Sequence, residues 1–495
     1  MFIPALCSIL ALASASGAVP NASPPRNDHT VLILGGGVTG IIAARTLHRK
    51  GIDKFLIIEG REELGGRMRS HVFANTTIEL GANWVQGTQT GDGPANPIWD
   101  LARKHRVKTV VNDYGSMTTY DETGFVDFID DVDAATDGFE SLTGLAGSRV
   151  EQNLVDINAK AGFALLNVKP QTAHAQASEY WNFDWEYANS PVQSSLVATS
   201  WNNNFTFNTD QGGFSEENRL ATDQRGFKAL IQEESKEFLR PDQVLLSSIV
   251  KTVAYSKSGV TVHLANGTNI TADYAICTFS IGVLQNDDVV FKPALPEWKV
   301  EAIQSMVMAT YTKIFLKFSQ KFWFDTEFAL YADRQRGRYP VWQSLDHPKF
   351  FNDSGIVFVT VTGDGSERVE ALTDSEVQAE AMSVLKNMFP NSTIPPPDDF
   401  FFYRWHADPL YRGSYSNWPP SFAIEHHENL RATVKERLWF AGEATSLKYF
   451  GFLHGAYFEG LGVTEKLVEC IRQTRCAGLP HIEQAHNVRP YHIEL

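Results

Sequence analysis

HTVLILGGGVTGIIAARTLHRKGIDKFLIIEG, residues 29–60, is the stretch that decides the fold. Thr30–Leu34 is a β-branched and leucine-rich run without polar alternation, as expected of a strand buried on both faces in a parallel sheet. It ends in glycines. Residues 38–50 then place apolar side chains at helical spacing, and Gly51 stops the helix. Phe55–Ile58 reads as a second buried strand, so one strand–helix–strand unit fits within about thirty residues. Inside it, Gly35-Gly36-Gly37-Val38-Thr39-Gly40 satisfies G-x-G-x-x-G. Gly35 permits the tight turn, Gly37 lets a pyrophosphate approach the backbone, and Gly40 lets helix and strand pack closely; the helix N-terminus faces the phosphates. Glu59 follows the second strand, where an acid accepts hydrogen bonds from ribose hydroxyls. The glycines alone are a weak signal, but a merely structural turn does not account for Glu59. The unit reads as a dinucleotide site.

Two later stretches extend it. Gly65-Gly66-Arg67 offers a loop that approaches a pyrophosphate closely and a guanidinium for charge-assisted bonds. Leu438–Glu443 again reads as strand, glycine and acid, and a helix starting near His454-Gly455-Ala456 would turn its positive end to the site. Either stretch alone is ordinary punctuation; the combination is not. Between them the character of the chain alternates. Residues 96–224 are richer in Asp, Asn, Ser and aromatics, with helix expected around 134–165. From 225 to 290 strand patterns return, including a hairpin about Asn266-Gly267. Residues 291–399 alternate strands (311–318, 355–363) with a helix near 374–388. The expectation is a mixed α/β chain of two interleaved domains. Residues 28–95, 225–290 and 400–475 form the first, residues 96–224 and 291–399 the second, with 476–495 as a tail.

With 495 residues the chain exceeds one compact core. Its formal net charge of −15 argues against non-specific nucleic-acid binding and suits a cationic small molecule, although acidity also serves solubility alone. Residues 1–18 read as a signal peptide, with small-residue cleavage sites at Ala13–Ala15 and Ser16–Ala18 but no Lys or Arg before the apolar run. Seven N-x-S/T sequons, at Asn21, Asn75, Asn204, Asn266, Asn269, Asn352 and Asn391, agree with passage through the secretory pathway. Of four cysteines, Cys7 leaves with the signal and Cys277 lies in an apolar run. The spacing of Cys470 and Cys476 permits a bridge without requiring it. No later stretch is long and apolar enough for a membrane span. The tail His492-Ile493-Glu494-Leu495 differs at one position from an ER-retrieval signal, so secretion is expected with ER residence left open. No metal-ligand spacing occurs.

The fingerprint, GGRMRS (65–70), LGANWVQG (80–87) and GEATS (442–446) together resemble the flavin-containing amine oxidase family, over about residues 30–470. FDWEYA (183–188), YTKIFLKF (311–318), GSYSNWP (413–419) and YFGFLHGAY (449–457) are most similar to polyamine oxidases of the secreted plant type. The resemblance implies a Rossmann-like FAD domain interleaved with a substrate domain of mixed sheet and helices, and a tunnel ending at the flavin. It implies that Glu59 binds the adenosine ribose, Arg67 lies near the pyrophosphate, Val250 contacts adenine, Glu443 lies at the ribityl and phosphate end, and Gly66 and Trp84 border the cofactor. No cysteine stands between Glu443 and His454, where covalent relatives attach the flavin, so FAD is expected to be noncovalent. A monomer is expected.

Lys313 alternates along its strand with Tyr311, Phe315 and Lys317 on one face. A lysine among large apolar residues needs a partner or a lowered pKa, or else its head reaches solvent, as Lys317 is expected to do. The resemblance gives Lys313 a catalytic role, holding a water at flavin N5. A polyamine carries several charges, yet the nitrogen beside the cleaved C–H must be neutral to release hydride. Distal ammonium groups then need anions and aromatic faces. Glu186, within Phe183-Asp184-Trp185-Glu186-Tyr187, matches a tunnel glutamate. Tyr415 and Phe452 match the aromatic pair flanking the substrate, with Trp185, Tyr187 and Tyr311 beside them. Gln86 stands where the plant pattern has a glutamate, which predicts weaker hold on highly charged amines. The expected reaction passes hydride from the carbon beside a secondary amine of spermine, spermidine or acetylated forms to the flavin, with imine hydrolysis and reduction of O2 to H2O2. Two other readings remain: an amino-acid oxidase gripping a carboxylate through Arg404 or Arg412, and a non-catalytic binding protein like the GDP-dissociation inhibitors.

Overall fold

The computed structural model describes residues 28–473 and 476–483. The signal-like segment with Cys7, the Asn21 sequon and the His492–Leu495 tail lie outside them. The first strand, His29–Leu34, pairs in parallel with Phe55–Ile58 on one side and Asn269–Cys277 on the other. Val31–Leu34 and Phe55–Ile58 are buried on both faces, as their unbroken apolar runs require. Val244–Leu245 adds a parallel strand beyond Phe55–Ile58. On the far side, Asn269–Cys277 is shared. Its first half pairs antiparallel with Gly259–Leu264, closing the hairpin at Gly267, and its last residues pair in parallel with Leu438–Phe440. Val250–Ser256 and Val290–Lys292 complete this eight-stranded sheet. The helix Val38–Arg49 covers one face, against the C-terminal helix Leu453–Arg472, with Thr39 Oγ1 donating to the Ala456 carbonyl at 2.9 Å.

A seven-stranded sheet runs in the order Asp399–Phe402, Tyr311–Lys317, Ile356–Thr362, Val341–Ser344, Phe328–Ala332, Met117–Asp121, Gly124–Phe125. All its pairs are antiparallel except Phe328–Ala332 with Met117–Asp121. The helix Asp374–Met388 packs Val377, Ala381, Val384 and Leu385 beneath Ile314 and Leu316. The strand bearing Lys313 is thus buried on both faces rather than half-solvated. Trp84–Gln86, Asn218–Ala221 and Thr109–Val111 form a small third sheet.

The mixed α/β class holds. Several local expectations do not. The helix expected over 134–165 is two, Ile129–Glu151 and Ala159–Leu165. Asn153 turns to φ 56°, and Asn158 caps the second helix by accepting from Ala161 N at 2.8 Å. The stretch after 225 begins with a helix, Ala229–Lys236, before the strands. Lys317 is half-buried and donates to the Phe318 carbonyl instead of standing in solvent. Cys470 and Cys476 are disulfide-bonded, and Cys277 is a buried free thiol. Among the described residues no helix is long and apolar enough to cross a membrane.

Candidate active site

One cavity of about 1600 Å³, counting its opening to solvent, draws its walls from both large sheets and from residues as distant in sequence as Gly35 and Ala456.

Gly35, Gly37, Val38 and Thr39 bring the N-terminus of the first helix to the cavity. That helix has no side-chain cap and no acid in its first turn, so its unpaired N–H groups face the cavity with their positive dipole end. The C-terminal helix repeats the arrangement: Phe452 and Leu453 line the cavity and its first turn likewise has neither side-chain cap nor acid. Gly35 sits at φ 118°, and a Cβ there would lie 2.5 Å from Thr278 Oγ1. A Cβ on Gly40 would meet the Gly35 carbonyl at 2.0 Å, so helix and turn are in direct contact. A Cβ on Gly37, by contrast, would meet nothing closer than the Gly66 Cα at 3.8 Å. The carboxylate of Glu59 accepts from Gly36 N at 2.7 Å and Arg61 N at 2.9 Å, while burial pushes its pKa upward. Arg67 donates to Ser414 O at 2.9 Å and Glu443 at 2.8 Å; Glu443 also accepts from Ser416 Oγ and from Gly451 N at 2.8 Å. Two uncapped helix ends, an open glycine cradle and a pre-oriented carboxylate fit a dinucleotide cofactor.

The rest of the wall is aromatic. Trp185, Tyr187, Tyr311, Tyr415, Trp84, Tyr114 and Phe452 surround Glu186, Gln86 and Lys313. Trp84 meets Trp185 edge-on at 5.6 Å, and Phe452 stacks on His454 at 4.8 Å. Trp185–Tyr187 follows a π-helical turn, Tyr180–Asp184, which Arg336 clamps by donating to Asp184 (2.8 and 2.7 Å) and Glu179 (2.9 Å). The hydroxyl of Tyr415 donates to the Glu186 carbonyl at 2.8 Å and that of Tyr187 to Thr199 O at 2.9 Å. The Glu186 carboxylate makes no hydrogen bond or ion pair with any described residue, and burial pushes it up to about 7. Lys313 is buried with Nζ 2.7 Å from Gly81 O, 2.9 Å from Asn83 Oδ1 and 3.2 Å from Glu79 O, and 5.2 Å from the Trp84 ring. Burial pulls it down to about 7, against the pull of Glu79.

Of the residues expected to hold the cofactor or the amine, all line this cavity except Gly40 and Val250. Gly40 lies behind the turn. Val250 is buried in the same core cluster as Leu32 and Leu34, near Ser248, whose N–H donates to Glu59 O at 2.9 Å. Arg404 and Arg412 are elsewhere. The first bonds Glu370 O, Leu372 O and Asp374, the second pairs with Asp288, and neither faces the cavity. Sequence reading passed over Asn83, Tyr114, Asn202, Trp405 and Tyr411. Tyr411 donates to Gly66 O at 2.9 Å, and Asn83 stood unassigned inside LGANWVQG.

The model of the flavin-containing amine oxidoreductases matches residues 38–467. The chain is 36% identical over 468 residues to polyamine oxidase 1 of Zea mays, across 90% of this chain and 91% of that one. It is 35% identical over 473 residues to polyamine oxidase 7 of Oryza sativa subsp. japonica, across 92% and 97%. Among solved structures, putrescine oxidase with bound putrescine superimposes with a TM-score of 0.70 at 16% identity, over 90% of this chain and all of that one, a likeness of fold. A catalytic relative of this extent leaves no place for a purely non-catalytic binding role. The chain belongs to the flavin-containing amine oxidoreductases, and is an oxidase that works through noncovalently held FAD.

Proposed function

We propose that this oxidase acts on polyamines, taking hydride from the carbon beside a secondary nitrogen. The observation that carries the reading is the Glu186 carboxylate, half-buried among aromatic rings at the cavity wall and without a partner among the described residues. An uncompensated buried anion is costly unless its ligand is a cation. Ring faces of Trp185, Tyr187, Tyr311, Tyr415 and Phe452 add about 0.5–2 kcal/mol for each well-placed ammonium contact.

Glycines 35, 37 and 66, Glu59, Arg67, Trp84, Val250 and Glu443 are the residues we assign to the cofactor, with Glu59 at the ribose and the two helix ends toward the phosphates and the flavin ring. When bound, FAD accepts the hydride and passes the electrons to O2, giving H2O2. The protein orients the amine against that ring, keeps bulk water out with aromatic walls, and holds a proton-bearing group at Lys313 Nζ for hydrolysis of the oxidised amine or for the oxygen step. Gln86, whose side-chain amide makes no bond to a described residue, offers a dipole where a charge would hold a polycation more firmly; it favours shorter or acetylated amines.

We also assign the eight-stranded sheet to the FAD domain and the seven-stranded sheet to the substrate domain, with the boundaries given above, and read the protein as secreted and monomeric. The disulfide and the exposed sequons at Asn75, Asn266, Asn269, Asn352 and Asn391 support passage through an oxidising compartment; Asn204 is half-buried in a helix.

Anaerobic addition of spermine to the purified yellow protein should bleach the flavin, amino acids should not, and mass spectrometry of the aerobic products should show an aldehyde and a shorter amine. A protein bleached by amino acids alone, or by neither, overturns the reading.

A further inference from the structure

The three partners of Lys313 have a property that the cavity as a whole does not reveal. The backbone carbonyls of Glu79 and Gly81 and Oδ1 of Asn83 surround Nζ at 3.2, 2.7 and 2.9 Å, and in this arrangement all three accept. As an ammonium, Nζ has three protons, one for each acceptor. As an amine it has two protons and a lone pair that needs a donor. Carbonyl oxygens cannot supply one. Asn83 can, by turning its amide so that Nδ2–H replaces Oδ1. Asn83 is itself buried at the cavity wall, so its amide is held beside Nζ rather than out in solvent.

The remaining surroundings have no such freedom. From its own sheet Lys313 faces Thr360 across the pair, and the ring of Phe358 lies 6.0 Å away. From the opposite side come the Trp84 ring at 5.2 Å and Glu79, the one charged group acting on it. The Glu79 carboxylate is held by Phe227 N at 2.8 Å and Ser70 Oγ at 3.0 Å rather than by the lysine. No other titratable described residue acts on Nζ.

We propose that Asn83 is a positioning residue that sets the proton state of Lys313, accepting from the ammonium in one amide orientation and donating to the neutral amine in the other. The lysine is thereby able to give up and take back a proton at the cavity wall with its own N–H groups and lone pair each matched by a partner. This assignment rests on the oxidase reading for its purpose but not for its test.

The test measures the lysine directly. In protein labelled with 13C at the lysine Cε, the Lys313 signal is identified by its loss in Lys313→Met, and its shift is followed against pH without substrate. The wild-type midpoint is expected near 7, the value to which burial pulls this group. Asn83→Asp fixes an anionic acceptor within hydrogen-bond reach and should raise the midpoint by about 1–3 pH units, as an opposite charge at this distance does. Asn83→Leu removes the acceptor and should lower it. The pH profile of flavin reoxidation should move with the midpoint in each variant, and Asn83→Ser, which can still both donate and accept, should stay nearest the wild type. Equal midpoints in wild type, Asp and Leu variants overturn the proposal, as does a rise in both variants. Either variant decides alone if the other fails to retain FAD. Should spermine leave the flavin oxidised while the midpoints still separate, the polyamine reading fails and this one stands.

Discussion

The glycine-lined and the aromatic parts of the cavity treat charge in opposite ways. Around the glycines every ionised group is answered by the protein. Glu59 holds two backbone N–H groups, and Glu443 holds Arg67, Ser416 and Gly451. Around the rings the Glu186 carboxylate has no partner among the described residues. A site that keeps its ligand through many turnovers can be completed in advance, whereas one that takes and releases a cation, as we propose for the aromatic part, leaves its counter-charge unspent. On the proposed assignment, the self-satisfied residues hold the cofactor and the unsatisfied ones select the substrate.

This contrast is open to attack at both ends. The largest effect is expected from Gly40→Val, since a Cβ there would stand 2.0 Å from the Gly35 carbonyl. Purified variant should carry no yellow chromophore, and a normal spectrum would show that the turn can relax. Glu443→Gln strips Arg67 of its charged partner and should raise the dissociation constant for FAD roughly a hundredfold, about 3 kcal/mol, without reordering amine preferences. A changed preference in that variant would dissolve the division between the two parts. Glu186→Gln should do the reverse: FAD content unchanged, kcat/KM for spermine lower by roughly thirtyfold, about 2 kcal/mol. Its pH dependence sharpens the point. Glu186 titrates at about 7, above the ordinary carboxyl range because of burial, so its protonated form prevails below that value. The KM for spermine should fall as pH rises through about 7 in the native enzyme and lose that step in Glu186→Gln. The smallest effect belongs to Gln86→Glu, a half-exposed position. It should improve kcat/KM for spermine relative to acetylspermine by no more than about fivefold, roughly 1 kcal/mol; an unaltered ranking would remove Gln86 from the specificity determinants.

The glycine-lined part was also the more legible in the sequence. Its logic is local: a strand, a turn that tolerates no Cβ and an acid a short way on, all within residues 29–60. The unbroken apolar run of residues 55–58 announced burial on both faces, and the chain delivers it. The aromatic part is built from tertiary proximity. Nothing near Asn83 in sequence points to Lys313, 230 residues away, and Tyr114 reaches Trp185 across the fold, 5.7 Å between ring centres. The alternation at Tyr311–Lys317 left a lysine head reaching solvent as one reading. Burial there comes from the helix Asp374–Met388 on one side and the cavity wall on the other, neither visible in seven residues. Likewise the break at Asn153–Asn158 that divides the expected long helix is set by a cap, a feature of a few atoms. Motif resemblance supplied the list of lining residues; the hydrogen bonds among them had to be seen.

The contact between the first helix and the last has a further consequence. Thr39 bonds the carbonyl of Ala456, and a Cβ on Gly460 would lie 2.5 Å from the Thr39 carbonyl, so the turn that opens the chain is clasped by a helix made near its end. During synthesis the glycine turn emerges early and waits, exposed, for a partner that leaves the ribosome hundreds of residues later. Cofactor capture must then be a late, nearly all-or-none event in the life of the molecule, and chains cut short before residue 456 should emerge colourless however well their opening strands are formed.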